Sequence, residues 1–172
     1  MNIGELLTRG TVWISILLYA LGTILFAPRS KRRNFDKLVR SSWTVASLAL
    51  ALHFIAAFHF HHHWSQVSAL RETASQTYEV YGLNWGGGLG INYLVLLLWI
   101  FDLAWWWLKG LDSYASRPLF WLLSWHGFLI FIIFNATVVF KDGVRRWLGL
   151  VICLMLCSAW YLIIRRRRLN TI

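Results

Sequence analysis

Five runs of mostly apolar residues dominate this chain: Leu7 to Ala27, Trp43 to Phe60, Ile91 to Leu108, Leu119 to Phe140 and Trp147 to Ile164. A hydrocarbon core of about 30 Å needs about 20 such residues at about 1.5 Å of helical rise each, and every run approaches that length. Unpaired backbone N–H and C=O groups in lipid cost several kcal/mol apiece, so an immersed segment must close its hydrogen bonds as a helix or in a sealed barrel. These runs are too long and too uniformly apolar for barrel strands, which alternate. The expected fold is all-α: a polytopic transmembrane helical bundle of about five spans, making a single domain over residues 1–172.

Composition points the same way. With 58% hydrophobic and 14% charged residues, a chain of 172 has too little polar surface to cover a soluble globule. The runs leave no room for a soluble catalytic module, so any activity sits within or beside the bilayer. A formal net charge of +10 would suit nucleic acid, but the basic residues gather at Lys31 to Arg40 and Arg165 to Arg168, directly beside apolar runs. That placement fits membrane topology and anionic lipids at the cytoplasmic face, with no nucleic-acid partner.

Basic residues also set the expected orientation. The loop from Pro28 to Ser42 carries Arg29, Lys31, Arg32, Arg33, Lys37 and Arg40, which marks it as cytoplasmic. Five spans then place the N-terminus outside and the C-terminus inside a cell membrane, with twelve basic residues on the inner side and five on the outer. The short turn with Lys141, Arg145 and Arg146 falls outside, against the rule. The first run carries only Arg9 as a basic residue on its amino side, whereas the positive cluster follows it, and Pro28 comes directly after Ala27, so a retained helix is expected there in place of a cleaved leader. Tryptophans follow the same scheme: Trp43, Trp105, Trp106, Trp107, Trp121 and Trp160 lie toward the inner interface and Trp64, Trp85 and Trp147 toward the outer one.

Between the second and third runs, Val67, Leu70, Ala74, Tyr78 and Tyr81 recur at helical spacing before Gly82, predicting a short interfacial helix over 65–81 on the outer side. Gly86-Gly87-Gly88-Leu89-Gly90 follows no strand and precedes no Lys-Ser/Thr pair, so it reads as a flexible or tightly packed turn opening a span and not as a phosphate loop. Cys153 and Cys157, one helical turn apart in an apolar run, read as packing residues.

Six histidines remain to be explained, because ionisable groups within spans are costly and tend to pair or act. His53 and His126 lie about 15 Å and about 12 Å along their helices from the inner interface, and Asp102 lies about 10 Å from that side on the third span. Facing neutral imidazoles in an apolar, aromatic-rich bundle are what axial ligation of a haem b requires. The plainer alternative is a His53–Asp102 or His126–Asp102 hydrogen bond that only ties helices together. At the outer end of the second span, His59, His62 and His63 would share one face of a continuing helix while His61 points away, a grouping able to ligate a transition metal with help from Glu72 or Glu79. The plainer reading there is a histidine-rich cap at the headgroups. Asn92 and Asn135, in the outer halves of their spans, would bridge helices or orient these histidines.

His59-x-x-His62-His63 resembles one histidine box of the membrane fatty-acid desaturase and hydroxylase family. That family's di-iron site draws on several boxes at the cytoplasmic side, whereas this chain has one box on its expected external side. The stretch from His53 through Trp107, with Trp125-His126-Gly127-Phe128 and Phe134-Asn135-Ala136-Thr137-Val138-Val139-Phe140, resembles an uncharacterised group of small bacterial multi-span membrane proteins, a resemblance over about half the chain that implies no activity.

Three functions follow as expectations. The first is a non-enzymatic subunit or scaffold of a membrane complex, with membrane-protein partners. The second is a haem- or metal-binding redox protein using His53, His126 and Asp102, or His59, His62 and His63. The third is a small transporter or proton pathway from the outer histidines to Asp102. Hydrolase chemistry has no support, since Asp102 is the one carboxylate within a span and no nucleophile neighbours it.

Overall fold

A computed structural model describes residues 2–27 and 33–169. Arg29, Lys31 and Arg32, on which the orientation argument draws, lie outside the described residues. The elements are α1 (Ile3–Phe26), α2 (Arg33–Phe60), α3 (Gln66–Tyr81), α4 (Gly88–Ala115), α5 (Leu119–Phe134), which runs on as a π-helical stretch Asn135–Val139, and α6 (Val144–Leu169). No strand occurs among the described residues. Five segments are long and apolar enough to cross a membrane: Ile3–Phe26, Asp36–Phe60, Gly88–Gly110, Leu119–Val139 and Val144–Leu169. The chain is thus all-α, with the make-up of a multi-pass integral membrane protein. Helices α2 and α6 extend well beyond their apolar runs, into Arg33 to Arg40 and Arg165 to Arg168. Helical hydrogen bonding does not stop at the hydrocarbon edge, and long basic side chains there can reach headgroups and water.

The chain resolves into two compact units, Met1–Leu17 with Val45–Asp102, and Leu18–Thr44 with Leu103–Ile172, so that α1, α2 and α4 each contribute to both. In the first unit, Phe58, Ala69 and Leu89 form a buried cluster with Tyr93 packed against it. The α3 helix falls where the apolar spacing puts it. Ser65 caps its start, accepting from the Ser68 N–H at 3.2 Å, and Gly82, at φ 69°, closes it with an N–H bond to the Tyr78 carbonyl. Tyr93 of α4 donates to Gln66 Oε1 at 2.9 Å. The glycine run before α4 is a tightly packed turn, since a Cβ on Gly86 would collide with the Leu70 carbonyl of α3.

The second unit is built around aromatic rings. Trp43, Trp106, Tyr19 and Tyr114 are its largest fully buried side chains, and Trp160 is buried beside them. Of the tryptophans expected near the inner interface, Trp43, Trp106 and Trp160 therefore turn into the protein, while Trp105, Trp107 and Trp121 are exposed. Within α4, Gly110 takes φ 77° and ψ 174°, a conformation essentially restricted to glycine, and the helix breaks there before resuming through Tyr114. Cys153 is buried and Cys157 exposed, and both are free thiols.

Candidate functional site

In the second unit one histidine is enclosed by the protein itself: His126 of α5, 1% exposed. Its Nδ1 lies 2.9 Å from the Tyr19 hydroxyl of α1, and its Nε2 lies 3.0 Å from the Tyr114 hydroxyl beyond the Gly110 break. A neutral imidazole has one N–H and one lone pair, so it donates to one tyrosine and accepts from the other. The result is a Tyr–His–Tyr chain joining three elements.

Rings enclose that chain. Trp160 of α6 stacks on the imidazole with centroids 4.2 Å apart and planes at 30°. Trp43 of α2 meets it at 5.0 Å, and Trp106 stacks on Tyr114 at 4.5 Å. Backbone acceptors fix the surroundings: Trp43 Nε1 donates to the Tyr19 carbonyl at 3.2 Å, Thr23 to the same carbonyl at 2.9 Å, and Ser42 to the Leu18 carbonyl at 2.7 Å. The Arg117 guanidinium sits over the Tyr114 ring, 4.5 Å from its centroid. Among the described residues, the buried indole N–H groups of Trp125 and Trp160 have no hydrogen-bond partner. Ring packing, more than a saturated polar network, therefore holds this core together.

The other residues singled out by the sequence lie elsewhere. His53 belongs to the first unit, where its Nδ1 donates to the Thr8 carbonyl of α1 at 2.8 Å. Asp102 is buried at the edge of the same unit. The hydrogen-bond partners of His126 are Tyr19 and Tyr114, residues the sequence reading passed over. A haem iron needs a nitrogen lone pair, so ligation through His126 would require one tyrosine to give up its bond.

At the end of α2 the regular helix stops at Phe60, and the chain leaves through His63 and Trp64, both at positive φ (47° and 61°). The continuing helix that would set His59, His62 and His63 on one face is not formed. His59 packs edge-on against Phe60, and His62 Nδ1 lies 3.4 Å from Ser68 Oγ of α3. Burial holds the His62 imidazole below the usual histidine range, helped by His61 and opposed by Glu72. Among the described residues, no three His, Cys, Asp or Glu side chains are grouped as a metal ion would need. Asn135 donates to the Phe131 carbonyl one turn earlier on its own helix, at 2.8 Å, where the ladder passes into the π-helical stretch.

One signal could have exposed the tyrosines. Tyr19 sits in the middle of the first apolar run, and a phenol immersed there needs a partner for its hydroxyl. Matching it to His126 would have required helix neighbours, which spacing alone does not give. No protein-family model, no curated protein and no solved structure matches the chain.

Proposed function

We propose that this protein is a non-enzymatic structural subunit of a membrane complex. The observation that carries this reading is the use of His126: the most deeply enclosed histidine has both ring nitrogens bonded to tyrosines of other elements, one indole stacked on its ring and a second tilted against it. An imidazole committed in this way ties helices together and presents nothing to a substrate. In the same reading the chain sits in a cell membrane with its N-terminus outside, its C-terminus in the cytoplasm and α3 on the outer surface. Arg40, Lys109, Arg117 and Arg165 to Arg168, all near helix ends of the second unit, support this orientation, and Lys141, Arg145 and Arg146 of the same unit run against it.

The test is purification of the full chain from its native membranes in mild detergent, followed by native electrophoresis, a reduced-minus-oxidised spectrum and elemental analysis. A colourless protein of negligible metal content, migrating with a reproducible set of membrane partners, is expected. Stoichiometric haem or metal, or migration at the size of the chain alone, would overturn the proposal.

A further inference from the structure

The second unit also carries an apolar groove with a cation at its end. Val151, Met155, Ala159 and Leu162 of α6 line a space of about 620 Å³ together with Ile24 of α1, Ala27 just after it, and Arg166. From Val151 to Arg166 the helix advances about 22 Å, more than the roughly 15 Å of hydrocarbon in one leaflet. The trough is therefore long enough to accompany an acyl chain through its leaflet and to reach headgroup level where the arginine stands.

Arg166 suits a phosphodiester. Its Nη1 donates to the Ala27 carbonyl at 3.0 Å, which holds the guanidinium at the groove's end. A guanidinium has five N–H donors in a planar fork, so this bond leaves donors able to take a phosphate oxygen. Arg165, Arg167 and Arg168 follow in the last turns of α6 and keep the local potential positive. A zwitterionic headgroup brings its own cation into that potential, whereas an anionic one does not. An inorganic anion would gain nothing from the apolar trough.

We infer that this groove is a specific site for one anionic glycerophospholipid, with an acyl chain lying between α1 and α6 and its phosphate on Arg166. The lipid comes from the leaflet at whose surface Arg165 to Arg168 lie. Neither Ile24, Met155 nor Leu162 takes part in the aromatic core, so the site is independent of the role assigned to His126.

The experiment is native mass spectrometry of the full chain, released from micelles holding equal amounts of phosphatidylglycerol and phosphatidylcholine with the same acyl chains. One phosphatidylglycerol should stay bound at collision energies that strip phosphatidylcholine. Arg166→Gln should lower its retention by about tenfold, the loss of one charge-assisted contact, while Arg165→Gln should leave it nearly unchanged. Met155→Trp fills the groove from an exposed position without altering charge, and it should also release the lipid. An unchanged thermal midpoint identifies the variants that fold. Equal retention of the two lipids by the wild type, equal loss in the Arg165 and Arg166 variants, or displacement by glycerol phosphate lacking acyl chains would overturn the inference. So would a Met155→Trp variant that keeps its lipid while a protein oligomer dissociates, since the groove would then be a helix-docking surface.

Discussion

Histidine meets two environments in this protein, one in each compact unit. In the second unit His126 is enclosed by Trp43, Trp160, Tyr19 and Tyr114, with a partner at each nitrogen. In the first, His59 at the end of α2 and His61 and His63 on the turn that follows are exposed, and half-buried His62 lies 3.4 Å from Ser68 Oγ and edge-on to the Phe58 ring. The count of histidines favours the turn as the place to look for function, but the density of partners favours the single residue in the core. A polar group in a low-dielectric interior is worth most where every donor and acceptor is matched, and costs most when a match is lost.

The contrast is broken most directly by truncation. His126→Ala removes both tyrosine bonds and the stack on Trp160 and leaves a cavity, for an expected loss on the order of 3 kcal/mol. His61→Ala in the same titration from mild detergent to SDS, read by tryptophan fluorescence, should stay within about 0.5 kcal/mol of wild type. Comparable losses in the two variants would mean that His126 is not the keystone proposed above. A second, smaller effect is expected at Gly110. An alanine forced to φ 77° and ψ 174° is strained by about 1–3 kcal/mol, or else the backbone relaxes and carries Tyr114 away from Nε2. Either outcome lowers stability, and relaxation would add an altered near-ultraviolet circular dichroism from the Trp106–Tyr114 stack.

How far these features were legible in the sequence differs between elements. The spans were plain, because about 20 apolar residues in a row leave the backbone one way to satisfy itself. The α3 helix was plain too, since the apolar spacing and Gly82 are local signals that act through neighbouring residues. The helix ends were less so: Arg33 to Arg40 and Arg165 to Arg168 extend α2 and α6 past the greasy runs that mark them. His126 stood out in the sequence as a residue needing a partner, with haem or Asp102 as the candidates, yet its hydrogen-bond partners lie 107 and 12 positions away and are tyrosines. Depth along a helix constrains one coordinate only; the rotation that turns Tyr19 and Trp43 inward depends on packing among all the helices. The shared face of His59, His62 and His63 is absent for a local reason, since extrapolating it through His63 needs a regular helix that ends at Phe60.

Within the core, the contribution of a single bond can be isolated by Tyr114→Phe, which keeps the ring on Trp106 and removes only the hydroxyl. Hydrogen bonds between membrane helices average about 0.6 kcal/mol and reach about 1.7 kcal/mol, so a loss in that interval is expected, well below that of His126→Ala. Tyr19→Phe should behave alike. If the double variant costs more than the sum of the two, the Tyr–His–Tyr chain acts as a unit, because the second deletion then strips the last partner from a buried imidazole.

The smallest effect should come from the turn, and it has a definite sign. His62 is held below the usual histidine value of about 6.5 by burial and by its neighbour His61. Above that value His62 is neutral in both folded and unfolded chains and contributes no pH dependence. As the pH falls through about 6.5 the unfolded chain takes up a proton that the folded one resists, so stability declines until the pH passes the lower folded value. Part of the imidazole remains in contact with solvent, which limits this contribution to a few tenths of a kcal/mol. His62→Asn should therefore unfold at nearly the same denaturant concentration as wild type at neutral pH and slightly later than wild type at pH about 5.5. An Asn variant that loses ground as the solution is acidified would show that protonated His62 is stabilised in the folded turn, with Glu72 outweighing burial, and would make the histidine-rich turn a charged site after all.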